Sequence, residues 1–217
     1  MKIRTLLELS DAVDEETAWR RQELSLSLSS AKLARGLSQA VALRAGVALL
    51  YAHWEGWIKG VSTLYVRYVR AQRLAFSEMS PGFLGNALKT RIELLDESNR
   101  ASMHTEFAEF IAESMGDRAR LSEHLVRTES NLSSAVLSEI LCRLDIADDP
   151  FETMKHQIDT LLLHRRNRIA HGVYLDLDID AYVELHHAVL GMLDRFTNDV
   201  LNGAITGSYK TLSSRAN

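Results

Sequence analysis

The chain has 217 residues, is 46% hydrophobic and 25% charged, and carries a formal net charge of −4. That apolar content supports one large core, while the acidic balance excludes broad non-specific binding of nucleic acid, which needs an extended basic surface. The single cysteine, Cys142, excludes an internal disulfide and a thiolate zinc cluster.

The first residues, Met1 to Glu8, lack the apolar run of a signal peptide. The most apolar stretch, Ala40 to Tyr51, is broken by Arg44 and is too short to span a bilayer. A soluble, cytoplasmic protein without membrane association is expected. There are only 2 prolines, Pro81 and Pro150, which suits a chain of long helices.

A first helix is expected from about Leu6 to Ser29. Leu6, Leu9, Val13, Thr17 and Leu24 approximate its apolar stripe, and the serines between Ser25 and Ser30 weaken its end. A second runs from about Ser38 to Arg73. Leu43, Val47, Leu50, Trp54, Ile58, Val61 and Tyr65 recur at the core-facing period. Glu78-Met79-Ser80-Pro81-Gly82 breaks the pattern. Shorter helices follow at Asn86–Asp96, Ala101–Glu113 and Ser134–Leu144. Cys142 falls on the apolar pattern of the last and reads as a core or edge residue.

The next helix starts at Asp149-Pro150, with the proline in its first turn, and ends at Gly172 in a left-handed cap. Ala181 to Leu201 forms the last long helix with Asp180 as its N-cap, and the polar tail from Gly203 reads as frayed. The expectation is an all-α antiparallel bundle forming one domain over 1–217. Its core helices occupy about 6–76 and 149–202, with a helical insertion or lid at about 81–147.

The chemistry concentrates in Arg166-Asn167-Arg168-Ile169-Ala170-His171-Gly172. A guanidinium holds phosphate, and an imidazole moves a proton near neutral pH. Asn167 and His171 are four residues apart and share a helix face, whereas Arg166 is rotated from His171 by about 140°. The same residues also read as a solvated helix face closed by a capping histidine. Arg67, Arg70 and Arg73 make one basic stripe, read either as a solvated face or as a track for RNA. His186-His187 is expected to point one ring inward and one outward. No metal ligand set is evident, and no cofactor is expected.

Arg-Asn-x-x-x-His resembles the signature of the HEPN superfamily of small helical proteins. Two further segments are similar to its RiboL-PSP-HEPN and HEPN-like nuclease branch: Leu49 to Lys59, containing His53, Trp54 and Glu55, and Asp14 to Leu24. The resemblance implies a homodimer in which two motif helices face one cleft, and a metal-independent endoribonuclease in a toxin or phage-defence setting. It implies Arg166, Asn167 and His171 as catalytic residues, Arg165 and Arg168 as RNA-binding residues, and Glu55 and His53 as supporting groups. An antitoxin or defence-system protein is the implied partner. A non-catalytic HEPN module that dimerises and binds RNA, nucleotide or protein is the alternative. Some HEPN toxins carry His-x-Tyr after the arginine; here Tyr174 stands one residue further on, which puts modification of that tyrosine in doubt.

Overall fold

The computed structural model describes residues 2–122 and 131–215. Residues 123–130, part of the expected insertion, lie outside the described residues. Nine α-helices are present among those described, with two isolated β-bridges and no strand.

Helix α1 spans Leu6–Leu33 and opens with a capping box, in which Thr5 and Glu8 satisfy each other's backbone N–H groups. It passes through the serine-rich stretch without ending there, a correction to the expected stop at Ser29. Ser27 lies within hydrogen-bond reach of the Tyr182 hydroxyl at 3.3 Å, and Ala31 beyond it is fully buried. Tertiary packing thus outweighs the indifferent helix propensity of serine. Leu6, read as part of the apolar stripe, is exposed at the first turn.

Helix α2 spans Gly36–Ala71 and is the central element, packed against both α1 and the last long helix, α8 (Ile179–Thr206). Every residue of its expected stripe, from Leu43 to Tyr65, is buried. Trp54 and Trp57 are fully buried, and each indole N–H is satisfied, by the Leu132 carbonyl at 3.3 Å and the Thr197 hydroxyl at 2.9 Å. Truncating either to alanine should cost about 3–5 kcal/mol. At Gly46 a Cβ would collide with the Tyr182 hydroxyl, so only glycine lets α8 approach so closely there.

A 3-10 turn at Phe76–Glu78 leads into α3 (Pro81–Asp96), which starts at the proline rather than at Asn86. Its free N–H groups are capped from a distance: the Asp145 carboxylate accepts from Gly82 at 3.0 Å, from Phe83 at 3.2 Å and from the Ser80 hydroxyl. Helix α4 (Ala101–Glu113) has the expected bounds and buries none of its residues. Helix α5 (Ser134–Arg143) differs: Leu137, Ile140 and Leu141 are fully buried, and its N-terminus is tied to Asp159 by the Ser134 N–H (2.8 Å) and hydroxyl (2.5 Å). The stretch 81–147 is therefore not uniform. Its α5 end is core, while α4 lies on the outside. Cys142 is on the exposed side of α5.

The single helix expected from Asp149 is divided into α6 (Asp149–Glu152), a π-helical stretch at Gln157–His164, and α7 (Arg165–Ala170). Ile158 and Leu162 of the π stretch are buried. The wider i→i+5 rings shift the phase of all that follows, including the motif. Helix α8 is capped by Asp178, whose carboxylate accepts from the Ala181 N–H at 2.7 Å, in place of the expected Asp180. The tail is not frayed where expected. Tyr209 is buried, Ser80 donates to its carbonyl at 3.0 Å, and Thr211 donates to that of Glu78 at 2.9 Å, before α9 (Leu212–Arg215). No helix among the described residues is long and apolar enough to cross a membrane.

Candidate functional site

The motif occupies α7 and the turn after it. His171 is the C-cap, and Gly172 has φ of 70°, the left-handed conformation expected. Gly172 donates to the Ile169 carbonyl at 3.1 Å, and Val173 to that of Arg168 at 2.9 Å. These two bonds are those of a Schellman motif, so the local sequence alone fixes where α7 stops. The Arg168 guanidinium also donates to the Tyr174 carbonyl at 2.8 Å, which pins the departing loop.

Arg166 is half-buried and points at α2. Its guanidinium lies 3.9 Å from the centroid of the Tyr51 ring, and one arm donates to Asn167 Oδ1 at 2.8 Å. The amide oxygen of Asn167 is thereby engaged, which leaves its NH₂ group to donate outward. The Tyr51 hydroxyl accepts from the Leu132 N–H at 2.7 Å and is hydrogen-bonded to Glu55. Burial is the main cause that pushes the Tyr51 phenol up, opposed by the Leu132 N–H. The guanidinium therefore sits on a ring that is itself held at both faces of its hydroxyl.

His171 is exposed, and its imidazole has no hydrogen-bond partner among the described residues. Arg165 and Arg168 are half-buried on the same short helix. Arg166 turned inward and His171 turned outward agree with the rotation expected between them. Within one chain the two groups do not share a helix face.

The two supporting residues separate. Glu55 lies one turn from Tyr51 and joins the Arg166 side of α2. His53 faces the opposite way: its Nε2–H donates to Glu23 at 2.7 Å, Nδ1 faces Arg20 at 3.5 Å, and the Trp19 ring packs edge-on at 5.3 Å. Burial holds the His53 imidazole below its ordinary range despite Glu23. His53 thus belongs to the α1–α2 seam. Two residues went without a role in the sequence reading, Tyr51 and Leu132. Tyr51 falls within the segment from Leu49 to Lys59, and its spacing of four from Glu55 is the signal available for it.

His186 is buried with Nε2–H donating to the Leu24 carbonyl at 3.2 Å, while His187 is exposed, as their adjacency implied. Among the described residues no group of three or more His, Cys, Asp or Glu side chains is placed to hold a metal ion.

The fold and motif together define an all-α bundle that presents Arg-Asn-x-x-x-His at the end of a helix packed on a long central one. A family model described as HEPN_MAE_28990-like HEPN matches residues 9–209, and the chain belongs to that family of the HEPN superfamily. The match supports the membership of the HEPN superfamily that the motif resemblance implied. Comparison with curated proteins and with solved structures returned no match. Membership points to a nuclease or RNA-related function.

Proposed function

We propose that the protein is a HEPN-type endoribonuclease that cleaves RNA through its own 2′-hydroxyl. The observation that carries this reading is the Arg166 guanidinium, stacked 3.9 Å from the Tyr51 centroid and bonded to Asn167, on the short helix whose C-cap is His171, an exposed imidazole without a hydrogen-bond partner among the described residues. The RNA 2′-oxygen attacks the adjacent phosphorus as His171 takes its proton. The bond to the 5′-oxygen breaks, and that oxygen leaves with a proton from an acid, for which His171 of the partner subunit is the candidate. The products are a 2′,3′-cyclic phosphate and a 5′-hydroxyl. Arg166 stabilises the charge that builds on the phosphoryl oxygens, and the Asn167 NH₂ donates to the same group. Arg165 and Arg168 hold flanking phosphates.

A homodimer completes the site in this reading. Leu37 and Val41 on α2 are 80% and 52% exposed, and they lie on one face with Arg44 at i, i+4 and i+7. Arg44 in turn lies 5.6 Å from the ring of Tyr174, which is 70% exposed beside the motif. An apolar face of this kind next to the motif suits a two-fold contact with a second copy. A toxin or phage-defence role in the cytoplasm, restrained by a partner protein, is the setting that the HEPN resemblance implies.

The test is cleavage of RNA by the pure protein in EDTA. Wild-type protein should cut, because the acid–base and charge-stabilising groups are side chains. Arg166→Ala and His171→Ala should each lose at least about 100-fold in rate with unchanged helical circular dichroism. Cleavage that persists in both variants contradicts the assignment, and absence of cleavage by the wild type favours a binding module.

A further inference from the structure

A cavity of about 820 Å³ opens far from the motif, at the other end of α2. From Tyr51 to Arg70 the helix advances about 28 Å, at 1.5 Å per residue. Six cations from three separate stretches line it: Lys2 and Arg4 ahead of α1, Arg67, Arg70 and Arg73 at the end of α2, and Arg118 after α4. No acidic side chain is among the described lining residues, in a chain whose net charge is −4. The side chains of Lys2, Arg4, Arg73 and Arg118 form no ion pair among the described residues.

The cations are held there by backbone. Ile3 is 1% exposed and anchors the residues on either side of it. The Gln72 side chain donates to the Arg4 carbonyl at 3.2 Å, which ties the N-terminal stretch to the end of α2. Arg118 is bridged to Ala75, with Phe76 N–H on the Asp117 carbonyl at 3.1 Å and Ala119 N–H on that of Leu74 at 2.9 Å. Glu8, the nearby carboxylate on α1, is committed to the backbone N–H groups of Arg4 (2.7 Å) and Thr5 (3.1 Å). The fold thus brings like charges from distant parts of the chain to one concavity, where the side chains of Lys2, Arg4, Arg73 and Arg118 are available to an anion.

We propose that this cavity binds a compact, phosphate-dense anion, of the charge and size of a triphosphate group, at a site distinct from the motif. Guanidinium groups match phosphate oxygens in charge and in fork geometry. The volume falls within the roughly 300–1,000 Å³ of small-ligand pockets. No aromatic ring is among its described lining residues, so they offer no aromatic platform on which nucleic-acid bases stack. The site reads phosphates, and it reads them in a cavity rather than along a strand-length groove. It does not depend on the nuclease reading.

Calorimetric titration of the full chain, at low salt and without divalent metal, tests this with three probes: sodium tripolyphosphate, ATP and a DNA oligonucleotide. Tripolyphosphate should saturate one site per chain, and ATP should bind within about threefold of it, because the lining has no stacking platform for the base. Arg4→Glu and Arg118→Glu, on different stretches, should each weaken binding by about tenfold or more. His171→Ala should leave it unchanged. Arg4→Gln and Arg118→Gln, which remove charge without reversing it, carry the same test should either reversal fail to fold. Absence of saturable binding, binding indifferent to all four substitutions, or loss with His171→Ala overturns the proposal. Binding of the oligonucleotide alone would overturn it too, by marking the surface as a strand track.

Discussion

Tyr51 uses two parts of one side chain for two purposes, and they can be separated. Its ring supports Arg166 at 3.9 Å, and its hydroxyl accepts from the buried Leu132 N–H at 2.7 Å. Tyr51→Phe keeps the ring and leaves that N–H without a partner, at a cost of about 1–3 kcal/mol of stability. Tyr51→Leu loses the ring as well. A cation–π contact at a half-buried site is worth about 0.5–2 kcal/mol. If the ring holds Arg166 ready for a transition-state charge, its loss should lower kcat/KM by about 2- to 30-fold. Urea unfolding and cleavage of a fluorescent RNA are measured on the same preparations. Tyr51→Phe should be less stable with near wild-type cleavage; Tyr51→Leu should be impaired in both. Equal loss of activity in the two folded variants, or full activity in Tyr51→Leu, would refute the reasoning.

Three other outcomes follow from the same structure. Leu137→Ala and Ile140→Ala in α5, both at fully buried positions, should cost about 2–5 kcal/mol each in chemical denaturation, whereas Thr105→Ala in α4 should stay within about 0.5 kcal/mol. Equal small effects would make all of 81–147 an appendage. Light scattering at micromolar concentration should give twice the 24.4 kDa chain mass, and Leu37→Glu with Val41→Glu should shift it toward the monomer with loss of cleavage. A monomer that cleaves fully contradicts the shared cleft. His53 and His186 are both held below the ordinary value of 6.5, with burial as the main cause. The unfolded chain therefore binds more protons below that value, so stability is full above it and declines as pH falls through 6.5 toward the folded values. Tm should drop between pH 7.5 and 5.5, and a flat or rising Tm would contradict the burial argument.

Much of this was legible because it is local. The α2 stripe is a period that burial reads directly, and Gly172 ends α7 through bonds made within six residues. The motif's split between an inward arginine and an outward histidine also follows from helix geometry. What escaped depends on distant partners. Ser27 looks like a helix breaker until Tyr182 of α8 is beside it. The tail beyond Gly203 reads as polar until Tyr209 finds its place against Tyr65 and Tyr68. Asp145 caps a helix 62 residues away in sequence. His53 and Glu55 are two residues apart, so opposite helix faces were foreseeable, but only the positions of α1 and α7 say which face meets the motif. The π stretch has no composition of its own.

The central claim is attack by the RNA 2′-hydroxyl with Arg166 and His171 in the reaction. Mass spectrometry of fragments from an RNA cut in EDTA tests it most directly, alongside the same RNA carrying 2′-deoxyribose at the cut position. The expected products are 2′,3′-cyclic phosphate and 5′-hydroxyl ends from the first, no cut at that position in the second, and neither product with Arg166→Ala or His171→Ala. A 5′-phosphate end, or cleavage of the deoxy-substituted position, would contradict it.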